Sequence, residues 1–148
     1  MGYSVYIKTK DPELQKKMFE FLEKNMKDYT KEILSSNLYA TNLAEGEHLE
    51  YGARCKNTIG FNYKSWVFGM ERFYVTEIVK WMSKKIGDEK HYEYDGETTE
   101  ITDSFESKDY MKMLRHECEL YSDKNLFKKS IEFIKSEIAR LDKLWDEV

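Results

Sequence analysis

Glu77 lies one helical turn from Phe73 on one side and from Trp81 on the other, so a carboxylate is set into an aromatic stripe. Burial there would disfavour the charged form and lift its pKa towards the range of a general acid. The plainer reading is a glutamate at the rim of the stripe, reaching water. His91, Glu93 and Asp95 alternate. In a strand that spacing puts the imidazole and the Glu93 carboxylate on one face, a sparse metal or acid/base cluster. A solvent-facing hairpin strand explains the same residues without chemistry. His116 and Cys118, two apart on a helix, point in different directions and cannot share a metal, and His48 stands alone. Neither a Ser/His/Asp nor a Cys/His spacing occurs, and no glycine-rich phosphate loop or dinucleotide fingerprint is present. No metal site and no cofactor are therefore expected.

A second group of candidates would bind rather than react. Tyr51, Arg54, Asn57, Asn62, Tyr63 and Trp66 combine large rings, amides and one guanidinium within two adjacent strands. Flat rings with a few donors suit a planar or sugar-like small molecule, or a protein partner. Alternating aromatics are also what a half-buried strand prefers as core. Basic pairs at Lys8 and Lys10, Lys16 and Lys17, Lys84 and Lys85, and Lys128 and Lys129 are short and flanked by acids, as on solvated helix faces. With Lys plus Arg at 24 against Asp plus Glu at 28, the net charge is −4 and the chain as a whole repels polyanions. Nucleic acid and anionic membrane are accordingly not expected as partners. No apolar run is long enough to cross a bilayer, and the N-terminus lacks the apolar core of a signal peptide, so a cytoplasmic location is expected. Cys55 and Cys118 are too few for a disulfide scaffold and read as buried thiols.

The elements that must position these side chains follow from periodicity. The chain is arranged around Met70 to Ile86, where Val75, Ile78, Val79, Met82 and Ile86 recur at helical steps beside a second stripe of Met70, Phe73, Tyr74 and Trp81. That leaves Arg72, Thr76, Lys80, Ser83 and Lys84 for water. A helix so widely apolar must be covered on two sides. It starts near Gly69 and stops at Gly87, a residue suited to a left-handed cap.

Towards the N-terminus, Tyr3, Val5 and Ile7 alternate with polar partners as a strand, and Asp11-Pro12-Glu13 starts a helix running to about Asn25. A further helical turn is expected at Tyr29 to Leu34. Leu49 to Cys55 and Ile59 to Tyr63 alternate around Lys56-Asn57-Thr58, which predicts a hairpin. Gly52 and Gly60 leave one of its faces bare, through a bulge or strong twist, or through close approach of a ligand or second backbone. Asp95-Gly96 predicts a two-residue turn in which Tyr94 faces Glu97, Glu93 faces Thr98 and Tyr92 faces Thr99, an edge element or flap.

From Asp103 to the end there is neither glycine nor proline, and the pattern is helical throughout. Asp103 and Glu106 resemble a capping box for a helix carrying Tyr110, Met113, Leu114, Cys118 and Tyr121, with a break at Ser122 to Asn125. In the last helix Phe127, Ile131, Ile134, Ile138, Leu141, Trp145 and Val148 keep a strict heptad. The seam packs either on the preceding helix or on a second copy, in which case Ile131, Ile134, Ile138, Leu141 and Trp145 are the interface of a homodimer.

The expectation is a single α+β domain over residues 1–148. An antiparallel sheet of about five short strands packs on two helices, and a C-terminal helical hairpin is added. The expected function is a binding or protein-interaction module, self-associating through the last helix. The alternative is a small cytosolic enzyme using Glu77 or His91 with Arg54 as acid/base and anion-binding groups.

Overall fold

A computed structural model describes residues 3–8, 11–26, 37–41, 58–63, 69–86, 90–94, 98–101, 108–121 and 124–148. In chain order these form β1 (Tyr3–Lys8), α1 (Pro12–Asn25), β2 (Asn37–Thr41), β3 (Thr58–Tyr63), α2 (Gly69–Ile86), β4 (Tyr92–Tyr94), β5 (Thr98–Glu100), α3 (Lys108–Glu119) and α4 (Leu126–Asp146). The class is α+β. All ladders are antiparallel, and the strand order β2-β3-β1-β4-β5 puts the first strand in the middle.

The capping logic at the first helix holds. Asp11 Oδ1 accepts from the amides of Glu13 and Leu14 at 3.0 and 3.2 Å, and Pro12 occupies the first turn. Met18, Phe21 and Leu22 are buried on the core side, and Gln15 ties the helix to β3 by donating to the Thr58 carbonyl at 2.6 Å. At the far end, Arg140 of α4 donates both to the Asn25 carbonyl and to the buried Glu137. The helical turn expected at Tyr29 to Leu34, the strand expected at Leu49 to Cys55 and the capping box at Asp103 lie outside the described residues.

Two strand pairings differ from the sequence reading. The expected hairpin partner of Ile59 to Tyr63 was the segment just before it, but both edges of β3 are occupied by β1 and β2. Turn signals favour local pairing, whereas burial of Val5, Ile7, Ile59 and Phe61 in one core selects the distant strand. The register runs without a skip from Tyr3↔Tyr63 to Lys8↔Thr58, so Gly60 is not a bulge. Gly60 is required by close backbone approach instead: a Cβ there would collide with the Val5 carbonyl and stand 2.6 Å from Tyr6 Cα. In the second hairpin Tyr94 pairs with Thr98 and Tyr92 with Glu100. Three residues rather than two separate the strands, and every cross-strand partner moves by one. Asp-Gly suits both connection lengths, so the dipeptide alone could not choose.

Helix α2 spans the predicted stretch and is more enclosed than predicted. It packs on β1 and β3 on one side and on α1, α3 and α4 on the others. Of the five residues assigned to water, Lys84 is exposed, Arg72 and Lys80 are half-buried, and Thr76 and Ser83 are buried. Small side chains permit close helix approach, and Ser83 satisfies its hydroxyl by donating to the Lys80 carbonyl at 2.7 Å. Along α3, Leu114 and Cys118 are buried, whereas Met113 and, just past the end of the helix, Tyr121, both expected in the stripe, are half exposed. The helix touches α2 and α4 along a narrower strip than its apolar residues suggested.

Candidate functional site

Glu93 opposes Val5 in the ladder, and Val5 belongs to the core beneath the helices. The strand therefore carries Glu93 towards α2 rather than towards water. Arg72 grips it with both arms of the guanidinium, Nε to Oε2 at 2.9 Å and an Nη to Oε1 at 3.1 Å, with the side chains only 22% and 13% exposed. Tyr110 of α3 lies beneath the guanidinium, 5.9 Å from ring centre to Cζ, and donates to the Gly69 carbonyl at 3.2 Å. Burial raises the Tyr110 pKa, partly offset by Arg72, so the phenol stays protonated. Glu117 accepts from the Gly69 amide at 2.7 Å. The cluster fastens β4, the start of α2 and α3 together, its fork-to-fork pair being satisfied internally.

His91, two residues before Glu93, is half-buried, and its Nδ1 is buried with no hydrogen-bond partner among the described residues. Burial and the charge of Lys80 lower its pKa, against the opposing effect of Glu100. The imidazole is therefore neutral at pH 7. Glu77 is half-buried on α2, one turn from each of the buried Phe73 and Trp81. Trp81 directs its indole N–H to Asp142 of α4 at 2.9 Å, where Lys85 also binds at 2.6 Å. Hydrogen bonds from Lys85 and Trp81 hold the Asp142 pKa below its ordinary value.

Of the ring-rich binding candidates, Asn62 is half-buried in β3, opposite Ser4 and Asn37, and the backbone of Tyr63 pairs with Tyr3. Tyr51, Arg54 and Trp66 lie outside the described residues. Of the heptad residues, Phe127 to Trp145 turn inward, whereas Val148, past the end of α4, is exposed. Ile134 and Leu141 are buried, and Ile131, Ile138 and Trp145 are half-buried and packed on the same core. Trp145 meets Phe21 edge-on with ring centres 5.2 Å apart and Trp81 at 6.3 Å, under the ammonium of Lys17. Cys118 is buried, and burial followed by the nearby Glu117 raises its thiol pKa, which leaves it a weak nucleophile.

A surface feature missing from the sequence reading lies on α3. Among the described residues, Lys108, Met111, Lys112 and Arg115 line an open groove of about 420 Å³. The three cations are exposed, whereas Met111 is half-buried and packs on the core, so the groove is lined chiefly by the Met111 thioether and the aliphatic stems of the cations, with their charges at the rim. Arg115 is steadied over the Phe127 ring of α4 at 5.0 Å. The spacing of Lys108, Lys112 and Arg115 at four and three residues is visible in the sequence, but which flank of the helix stays open is not. Among the described residues no group of three or more His, Cys, Asp or Glu side chains is arranged to hold a metal ion, and no helix is long and apolar enough to cross a membrane. Comparison with protein-family models, curated proteins and solved structures found no match.

Proposed function

We propose that this chain is a soluble, cytosolic protein-interaction module that receives its partner on the outward face of α3. The groove walled by Lys108, Lys112 and Arg115 over Met111 carries the reading. Concave surface with an adaptable apolar floor and a few directed polar groups is what recognition requires. Arg is also the charged side chain most enriched at contact centres. The heptad of α4, which the sequence left to either the preceding helix or a second copy, packs on the core of the same chain through Ile134 and Leu141. Ile134 and Leu141 would have to leave the core to meet a second copy. That burial supports a partner surface on α3 rather than on α4.

The test is position-resolved photo-crosslinking in extract of the source cells. A photoreactive side chain at Lys112 is compared with one at Lys135, an exposed position on α4. One discrete adduct from position 112, absent from 135 and lost on Arg115→Glu, is the expected result. Equal adducts from both positions, or none from 112, would overturn the reading.

A further inference from the structure

We infer that the occupant of the α3 groove is an acidic segment of a partner protein carrying one apolar side chain among its carboxylates. The inference rests on the interaction reading above and adds the chemistry of the partner. Lys108, Lys112 and Arg115 follow one another at four and three residues along α3, so their charges fall on one side of the helix. They span about 10 Å at 1.5 Å per residue. Alternate side chains of an extended strand are spaced at roughly 7 Å, so two carboxylates on the same side of such a segment reach successive cations.

Two features separate this surface from an ordinary solvated helix face. Arg115 is held by the Phe127 ring, so less of its conformational freedom remains to be lost when a carboxylate accepts from its fork. Met111 offers a polarisable floor that moulds to an aliphatic or aromatic side chain. A purely charged ligand would leave that floor uncovered. Long polyanions are disfavoured for a separate reason. The chain carries a net charge of −4, so a ligand extending beyond the groove meets repulsion, whereas a short segment feels chiefly the charges within a Debye length of about 8 Å.

Fluorescence anisotropy with defined probes tests the proposal on the full chain. The probes are a short Glu-rich peptide with a central Leu, the same peptide with Ser in place of Leu, its Gln-for-Glu counterpart, and inorganic polyphosphate. The Glu/Leu peptide should bind with an affinity that falls as salt rises. It should lose about tenfold on the Ser replacement, and as much on Lys112→Glu or Arg115→Glu in the protein. Both substitutions fall at exposed positions, and unchanged circular dichroism confirms that the variants fold. Binding of polyphosphate or the all-Glu/Ser peptide as tightly as the Glu/Leu peptide would show a generic polyanion surface and overturn the inference. Absence of binding to every probe would also overturn it. The position-112 adduct would survive that second outcome, so failure of the partner chemistry is distinguishable from failure of the interaction reading.

Discussion

His91 combines a half-buried ring, a buried Nδ1 without a partner among the described residues, and the positive charge of Lys80 nearby. Its folded pKa lies below the ordinary value of 6.5, so as pH falls the unfolded chain takes up the proton first. The stabilisation is full above that value and is lost as pH drops through it towards the folded pKa. Urea midpoints measured from about pH 7 to about pH 5 should decline, with a shallower slope in His91→Gln. An identical slope would show that His91 does not sense folding. The neighbouring Arg72–Glu93 pair behaves differently, because removing one member strands the other. Glu93→Ala should cost about 2–4 kcal/mol by denaturant titration, scaled down from a fully buried pair because both side chains keep some exposure. The spacing of His91 and Glu93 puts both on one strand face. Which face meets water is decided by α2, and a local pattern of three alternating residues carries no information about a helix that distant.

At the scale of elements, long periodic segments were legible and pairings were not. The runs from Met70 to Ile86 and from Phe127 to Val148 declare helices because each repeats its apolar spacing over several turns. The strands are shorter, and their partners lie far away in the chain. β1 pairs with β3 and β4 across gaps that no local pattern encodes, and the β4–β5 register turned on whether two or three residues connect the strands. The α4 heptad shows the same limit. Its spacing establishes a seam, whereas what fills the seam is tertiary. Since Ile134 is 3% exposed and packs in the core, Ile134→Asp should destabilise the fold by about 3–5 kcal/mol, read as a lowered melting temperature. Ile138→Asp, at a half-buried position of the same seam, should cost less. Equal and wild-type melting for both would place the seam in solvent.

For the whole molecule, the two periodicities were enough to give the α+β class, and the breadth of the α2 apolar face was enough to require cover on more than one side. The candidate binding surface was harder to find, because it depends on which flank of α3 remains open once α2 and α4 have covered the others. Sequence placed Met113 and Tyr121 inward, and they are half exposed. It did not single out Lys108, Met111, Lys112 and Arg115, whose grouping appears only when the helix is rolled into place. With the α4 seam occupied internally, sedimentation over a wide dilution range should show a concentration-independent monomer. A monomer–dimer equilibrium abolished by Ile138→Ala would restore the seam as an interface.

The methionine methyl spectrum of the full chain tests the central claim most directly, because Met111 floors the groove while Met18 and Met82 are fully buried in the core and serve as internal references. On titration with the Glu/Leu peptide, the Met111 resonance should move and saturate while those of Met18 and Met82 stay in place, and the movement should vanish in Arg115→Glu. A Met111 signal that stays still while another methyl responds, or a response that survives Arg115→Glu, would contradict the assignment of α3 as the docking surface.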